Sequence, residues 1–348
     1  MKSTLLFLYA EAPLHAGSGV GLGAVDLPIQ RERMSGLPMV QGSGIKGALR
    51  ERMRPPLLDE STFLTMFGPW APKPRGAAIE QDARGEGRQG DTGGASESRP
   101  DEFAGALSVM DARVLLFPVR TAFGGFAWLT CPLILDRLRR DLALLGVEGP
   151  SVRGLQPAEG QALVTKGSSV VTKSSSVPRD DRLVIEDLEY GAKADDAAAP
   201  LAGWLAANAL PEGKEYDPFR ERLKKQLAVV DDTEFAFLSN HATEVVARTR
   251  IDDQTGTVSR GALWTEESLP AETLLWTTLT FANGRNPRLK QQLGADQSLE
   301  RFAGACDPAR AAAGVQPLTR IYLGGDRTVG RGLVGLRLMA AQQQGGAK

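Results

Sequence analysis

A glycine-rich segment near the start of the chain carries two side chains that could do acid–base or metal chemistry. It reads LHAGSGVGLGAVDLPIQRE from residue 14 to residue 32, with His15 before its four glycines and Asp26 after them. Imidazole and carboxylate groups transfer protons, and a carboxylate also binds divalent cations. Glycines let a ligand approach the backbone closely, as in phosphate-binding loops. The segment is therefore the first candidate site.

A nucleotide pocket is one hypothesis for this segment, and the neighbouring residues argue against it. Residues 19–24, GVGLGA, match the dinucleotide fingerprint, which requires a helix to begin at the glycines. Pro28 disfavours that helix, and after Glu32 the next acidic residue is Glu51. Residues 42–47, GSGIKG, lack the glycine spacing and the Ser or Thr of a P-loop. An enzyme with a nucleotide cofactor is therefore disfavoured.

Glycine runs of this kind occur three times, at residues 17–23, 42–47 and 324–335. The last two interleave with basic side chains, namely Lys46, Arg50, Arg327 and Arg331. One run alone would be explained by turn formation. Exposed backbone next to cationic side chains, repeated in this way, suits a sugar-phosphate chain lying across the protein.

The elements that must position these residues follow from hydrophobic periodicity and from proline and glycine. Strands are predicted at residues 3–12, 38–41, 104–119, 123–132, 162–171 and 182–190, with a loop at 191–200. Helices are predicted at residues 132–146, 201–210 and 217–230, and at either 286–295 or 297–307. A β-hairpin is predicted within residues 246–268, with a turn that contains Gly256. The order lacks regular βαβ alternation and indicates an α+β fold with helices on one face of the sheet.

A helix is also predicted from Ser43, as N-cap, to the prolines Pro55 and Pro56. Its periodicity places one row of side chains in the core: Ile45, Leu49 and Met53. A neighbouring row forms a basic stripe: Lys46, Arg50 and Arg54. A solvated helix face is the ordinary alternative for that stripe.

Composition sets further bounds. The 348 residues carry a formal net charge of −1, so binding to nucleic acid would depend on a local basic surface. Two cysteines without metal-type spacing fit a reducing compartment, and the absence of a long apolar run predicts no membrane span. We expect a single domain over 1–348, with a flexible polar insertion at 70–102 and a frayed tail at 340–348.

Five stretches of the chain resemble the backbone subunit of type III-B CRISPR effectors, the Cmr member of the RAMP superfamily. They are HAGSGVGLGAVDLPIQRE, LPMVQGSGIKGALRERM, ALSVMDARVLLFPVRTAFGGFAWLTCP, GALWTEESLP and LGGDRTVGRGLVGL. The resemblance reaches both ends and the middle of the chain. It does not extend to residues 70–102 or 191–217.

The resemblance implies a ferredoxin-like (RRM-like) core with large insertions and a protruding hairpin, the thumb, for which residues 246–268 are the candidate. It also implies a cytoplasmic protein of antiviral defence whose copies stack head to tail along a CRISPR RNA, together with other Cmr subunits. Each thumb would displace one nucleotide in six, and target single-stranded RNA would be cut beside it. The activity implied is a metal-dependent endoribonuclease, with Mg²⁺ or Mn²⁺ as cofactor and with unknown ligands.

The residue that the resemblance assigns to cutting is Asp26, which would otherwise be a turn residue that caps its own backbone. His15 is expected to be structural, to contact RNA, or to act as an acid for the leaving oxygen. Glu266 and Glu267 are either secondary acid–base or metal-orienting groups, or surface carboxylates. The predicted RNA-binding set comprises Gly42, Ser43, Gly44, Lys46, Arg50, Lys166, Arg250, Gly324, Gly325, Arg327, Gly330, Arg331 and Gly332. The alternative to a nuclease is an inactive scaffold that binds the guide.

Overall fold

The structure is a computed structural model that describes residues 1–21, 23–70, 103–152, 154–172, 181–309, 314 and 316–339. The predicted insertion from residue 71 onward and the predicted tail lie outside the described residues. The described part is an α+β arrangement, in which twelve strands form one mixed sheet and two further strands form a separate hairpin. No helix within these ranges is long and apolar enough to cross a membrane.

The strands of the first half are β1 (Lys2–Ala10), β2 (Met39–Val40), β3 (Leu107–Val109), β4 (Ala112–Arg120), β5 (Phe126–Thr130), β6 (Gln161–Val164) and β7 (Arg182–Ile185). Those of the second half are β8 (Leu188–Ala194), β9 (Leu227–Val229), β10 (Glu244–Ile251), β11 (Val258–Ser268), β12 (Leu274–Phe281), β13 (Arg320–Tyr322) and β14 (Leu333–Leu338). The helices are α1 (Gly42–Arg52), α2 (Glu60–Phe67), α3 (Pro132–Leu144), α4 (Ala198–Asn208), α5 (Asp217–Gln226), α6 (Asp232–His241) and α7 (Ala295–Cys306).

The large sheet runs in the order β13-β14-β1-β12-β4-β5-β9-β6-β8-β7, with β2 on β4 and β3 on β12. The four neighbouring strands β14, β1, β12 and β4 pair antiparallel. In β1 every residue from Thr4 to Ala10 is buried, which is typical of a strand covered on both faces. The core therefore lies on both sides of β1, and α7 packs on β1 and β12.

Helix α1 presents the face that the sequence predicts. Ile45, Leu49 and Met53 are fully buried, and the helix lies against β3 and β13. The prediction of Ser43 as N-cap is wrong, because Gln41 has the extended backbone of a cap and Ser43 lies inside the helix. The next helix, α2, has clear signals that the prediction missed: the Asp59 carboxylate caps its first turn and Gly68 ends it.

Several predicted boundaries change because turns and short strands interrupt the apolar runs. Residues 182–190 form parts of two strands, and the chain reverses between them near Glu186. The second strand, β8, extends into the predicted loop as far as Ala194. The predicted helix 217–230 ends at Gln226 and continues as β9. The late helix is α7, which begins at Ala295.

The predicted hairpin is the separate two-stranded sheet of β10 and β11. Glu244 pairs with Ser268 at its open end, and Ile251 pairs with Val258 beside its turn. Apolar side chains near that turn are exposed, namely Ile251, Val258 and Leu263. Hydrophobic residues left in solvent on a two-stranded hairpin indicate a surface available to a partner.

Candidate RNA-cleavage site and RNA interface

The N-terminal glycine run folds as a narrow ribbon that reverses on itself. Gly17 pairs with Ile29, and further in, the Gly21 amide donates to the Asp26 carbonyl at 2.8 Å. A Cβ on Gly21 would lie 2.7 Å from the Val25 carbonyl oxygen, so the close approach of the two arms needs glycine there. The expected absence of a helix after the glycines is confirmed. The returning arm carries Asp26.

Asp26 is joined to Thr265 on β11 by three hydrogen bonds. The Thr265 amide and hydroxyl both donate to Asp26 Oδ2, at 2.7 and 2.9 Å, and the Asp26 amide donates to the Thr265 hydroxyl oxygen at 3.0 Å. The Asp26 side chain is exposed. The Thr265 amide, and then its hydroxyl, hold the pKa of Asp26 below its ordinary value. The site thus contains an ionised, solvent-accessible carboxylate in a fixed position.

The arm that carries Asp26 pairs with β11 through a single parallel bridge between Leu27 and Glu266. The Leu27 amide donates to the Thr265 carbonyl, and the Glu267 amide donates to the Leu27 carbonyl, both at 3.0 Å. These bonds lie where β11 leaves the hairpin and enters the body of the protein. The glycine ribbon, residues 17–31, is therefore attached to the hairpin root, which comprises residues 244–248 and 264–268.

Glu267 holds this junction together from inside. Its side chain is buried, and it accepts hydrogen bonds from Arg31 at 2.5 Å, from the Ile29 amide at 3.0 Å and from the Thr243 hydroxyl at 2.9 Å. The alternative that Glu267 is a surface carboxylate is wrong. Its lone pairs are taken by protein donors, so its evident role is to fix the ribbon against the hairpin.

Glu266 points to the other side of the strand and is also buried, so it is not a surface carboxylate either. It accepts from the Trp264 indole N–H at 2.8 Å and from Arg248 at 3.0 Å. Burial by itself raises the pKa of Glu266, but the Trp264 N–H, the Arg248 charge and a hydrogen bond with Asp326 together hold that pKa below its usual range. Glu266 is an ionised, paired residue within the hairpin root.

His15 connects the hairpin root to the C-terminal glycine run. Its Nδ1 lies 2.6 Å from the Glu267 carbonyl oxygen, and its own carbonyl accepts from the Gly325 amide at 2.9 Å. A carbonyl cannot donate, so Nδ1 carries the hydrogen and a neutral imidazole offers Nε2 only as an acceptor. A Cβ on Gly324 would lie 2.3 Å from the His15 carbonyl oxygen, which explains the glycine there. The proposed acid role would therefore need a doubly protonated ring.

The C-terminal run contacts both the hairpin and α1. Arg331 donates to the Ser268 hydroxyl, and its side chain is only 12% exposed. Arg327 is 56% exposed, lies 3.3 Å from the Glu51 carboxylate, and covers the ring of Tyr322. Among the predicted loop glycines, positive φ angles occur at Gly324, Gly330 and Gly332. The three glycine runs, separate in sequence, thus lie in one connected region.

The basic stripe of α1 is used largely for internal contacts. The Lys46 ammonium donates to the Leu107 carbonyl at 2.7 Å, and burial, with the nearby Arg50 charge, lowers the pKa of Lys46. Arg50 donates to the carbonyls of Phe67 and Pro69. At the helix start, the Gly42 amide donates to the Asp111 carboxylate at 2.8 Å, while Ser43 and Gly44 are exposed. Phosphate contacts by this helix remain a prediction.

Two predicted RNA contacts lie apart from this region. Lys166 is exposed beyond the end of β6, in the half of the sheet remote from β13 and β14. Arg250 is exposed on β10 near the hairpin turn. The structure therefore places Arg250 on the hairpin with Asp26 at its root, and Lys166 elsewhere.

The donor set for a divalent cation is small. Within the described ranges, no group of three His, Cys, Asp or Glu residues could hold a metal ion. Both Thr265 bonds end on Asp26 Oδ2, so Oδ1 is outside that contact and the side chain is exposed. Mg²⁺ is commonly held by one or two carboxylates together with substrate phosphates and water. One carboxylate oxygen of Asp26 fits that kind of site.

Three residues of this junction were missed by the sequence analysis: Thr265, Arg31 and Ser268. Thr265 lies 239 positions from Asp26, and Arg31 lies 236 positions from Glu267. Their roles depend on which strand the glycine ribbon joins, and hydrophobic periodicity does not specify this. A sequence signal was available only for the hairpin itself.

The sequence of this chain matches the model of a known family. The RAMP superfamily model matches residues 7–335, and the chain belongs to the RAMP superfamily. Within the superfamily, the chain is 32% identical over 347 residues to the CRISPR system Cmr endoribonuclease Cmr4 of Pyrococcus furiosus, with 99% of each chain covered.

Solved structures show the same fold. A crystal structure of oligomeric Cmr4 from Pyrococcus furiosus is similar at 25% identity and a TM-score of 0.57. The match covers 97% of this chain and 98% of the Pyrococcus chain. A cryo-EM structure of the type III-B Cmr-beta complex bound to cognate target RNA contains a chain at 20% identity and a TM-score of 0.62, with 97% of each covered. At 20% identity, the similarity to the chain in the cryo-EM structure shows only a shared fold.

Proposed function

We propose that this chain is the repeating backbone subunit of a type III-B CRISPR Cmr complex, that it binds a guide RNA, and that it cleaves target RNA at Asp26. The observation that carries the proposal is the exposed Asp26 carboxylate, fixed in a side-chain-poor ribbon at the root of an exposed hairpin. Full-length similarity to a protein named as a Cmr endoribonuclease supports the same assignment.

The chemistry proposed is attack by the RNA 2′-hydroxyl on the adjacent phosphate. Asp26 is ionised at neutral pH, as its pKa lies below the ordinary value of an aspartate, and an ionised carboxylate can accept a hydrogen bond from that hydroxyl or bind a cation. A carboxylate of low pKa is a weak base. Much of the rate would therefore come from holding the 2′-oxygen in line with the leaving oxygen.

A divalent cation is part of the proposal, with Asp26 Oδ1 as its protein ligand and RNA phosphate oxygens as the others. Bound there, it would neutralise charge that develops at the phosphate. The residues of the chain do the remaining work: Thr265 on the hairpin holds Asp26, and Glu267 holds the ribbon that carries Asp26.

The proposal includes a ferredoxin-like core and a thumb. The antiparallel order β14-β1-β12-β4, with α1 between β1 and β4 and α7 between β12 and β14, supports the first. The exposed apolar side chains of the hairpin support the second, because apolar wedges can separate stacked bases. Stacked copies, each with one hairpin, would then cut target RNA at six-nucleotide intervals beside each displaced nucleotide.

Contacts with the guide backbone are proposed first for the exposed cations Arg327 and Arg250. Lys46 and Arg50 already donate to backbone carbonyls, which leaves fewer donors for phosphate. Arg331 is proposed to act on RNA indirectly, through the hairpin root that it contacts.

The test is Asp26→Ala in a complex reconstituted with guide RNA, with Asp253→Ala as the matched control. Asp253 is an exposed carboxylate in the hairpin turn. We expect Asp26→Ala to retain guide and target binding and to lose the ladder of cleavage products, while Asp253→Ala cleaves normally. Unchanged cleavage by Asp26→Ala would favour the second candidate function, an inactive guide-binding scaffold. The burial of Glu266 and Glu267, which withdraws both secondary acid–base candidates from solvent, is the observation that favours that candidate.

A further inference from the structure

We propose that Thr265 is the positioning residue for Asp26, so that the hairpin carrying Thr265 controls the orientation of the cleaving carboxylate. This inference rests on the proposed function of Asp26. It adds a residue that acts through Asp26, and it makes hairpin seating a condition for cleavage.

The first argument is the geometry of the contact. An exposed aspartate in a glycine-rich ribbon would ordinarily sample several rotamers. Here the Thr265 amide and hydroxyl converge on Asp26 Oδ2, and the Asp26 amide donates back to the same hydroxyl. The reciprocal bonds fix both the backbone and the carboxylate of Asp26. Because Oδ2 is the atom held, Oδ1 is the oxygen left for substrate or cation.

The second argument is where Thr265 sits. It lies on β11 and pairs with Ala247 on β10, so it belongs to the hairpin and not to the large sheet. Its carbonyl also accepts from the Leu27 amide, on the residue next to Asp26. Because Thr265 bonds to both Asp26 and Leu27, a shift of β11 would move the Asp26 backbone together with Thr265. RNA that displaces or seats the hairpin would change the aim of the carboxylate.

The third argument is that other contacts keep the ribbon in place when the Thr265 hydroxyl is lost. Glu267 accepts from the Ile29 amide, and the Glu267 amide donates to Leu27. Removal of the hydroxyl alone should therefore leave the ribbon docked and loosen Asp26 itself, which would lose two of its three bonds to Thr265 and keep the bond from the Thr265 amide. This separation makes the inference testable without unfolding the site.

The variants are Thr265→Val, which keeps the shape and the backbone amide but lacks the hydroxyl, and Thr265→Ser, which restores the hydroxyl. Thr233→Val is the matched control, because it makes the same chemical change at an exposed threonine on α6, outside the hairpin. Each is assembled into the full complex with guide RNA. Target affinity and the single-turnover cleavage rate constant at saturating target are then measured separately.

We expect Thr265→Val to lower the cleavage rate constant by between about tenfold and a hundredfold, with target affinity unchanged. Thr265→Ser should restore the rate, and Thr233→Val should cleave as the unmodified chain does. A normal rate for Thr265→Val overturns the inference, as does an equal loss in Thr233→Val. Failure of the proposed function itself is distinguished by Asp26→Ala: if that variant still cleaves, the nuclease assignment is wrong, whatever Thr265 does.

Discussion

Arg331 closes the open end of the hairpin through Ser268. Its guanidinium donates to the Ser268 hydroxyl at 2.9 Å and lies 3.6 Å from the carboxylate of Glu244, the residue paired with Ser268 across the two strands. One side chain from the C-terminal glycine run thus contacts both strands where they enter the body of the protein. Hairpin position and C-terminal loop position are consequently linked.

Arg331→Ala should destabilise the folded protein by about 1 to 3 kcal/mol, because it leaves partly buried polar partners without a donor. The measurement is the free energy of unfolding from urea denaturation. The control is Arg327→Ala, whose side chain is 56% exposed and whose loss should cost under about 0.5 kcal/mol. Equal effects of the two changes would contradict a clamping role for Arg331.

Glu267→Ala should cost about 3 kcal/mol, because it leaves the Arg31 guanidinium without its carboxylate in a largely buried setting. The double variant Arg31→Met with Glu267→Leu should recover part of that loss, since no unpaired charge remains. A double-mutant cycle by urea unfolding gives the coupling between the two side chains. Strictly additive single effects would show that the ion pair does not hold the ribbon.

Arg327→Ala should weaken guide-RNA binding for every guide sequence, because a phosphate contact carries no base information. The slope of log binding constant against log salt should fall by about 0.7, the value for one contact on a single strand. Lys46→Ala is the comparison. It should reduce thermal stability by removing the bond to Leu107 and leave the salt slope unchanged. An equal slope change for Lys46 would instead support the phosphate contact predicted from the sequence.

The titration of Glu272 should lower the free energy of unfolding as the pH rises from about 4.5 to about 7. Burial raises its pKa from 4.5 to about 7, and its Oε2 is buried without a hydrogen-bond partner. The folded state therefore holds a proton that the unfolded state releases across this window. Glu272→Gln should flatten the pH dependence and raise stability at pH 8 by on the order of 1 kcal/mol, after allowance for partial solvent screening. Thermal unfolding across that pH range measures both effects. An unchanged pH profile would contradict the assignment.

Much of the architecture could be predicted because its signals are local. The apolar run of β1, the buried row Ile45, Leu49 and Met53, and the proline at the start of α3 each lie within a few residues. The helix α6 was missed although Asp231 caps it, because its apolar residues are consecutive, from Phe235 to Leu238, and show no helical period. Short strands such as β9 were not predicted either, because a run of three buried residues resembles the end of a helix.

The site was predicted only in outline. Asp26 and the glycine runs were identified, but the environment of Glu266 and Glu267 was not. Adjacent residues on a strand point to opposite faces, so one of the pair would be expected in solvent. Both are buried because the glycine ribbon supplies Ile29 and Arg31 on one side, and Arg248 covers the other. Such a pairing of distant segments is a property of the folded chain.

The attachment of the ribbon to β11 also has a consequence for the order of protein synthesis. Asp26 leaves the ribosome early, whereas Thr265 and Arg331 follow more than two hundred residues later. Contacts between such distant segments form only after most of the chain is available. A nascent polypeptide therefore contains the Asp26 carboxylate long before it contains the residues that orient it, and the complete set of contacts can form only after Arg331 has been synthesised.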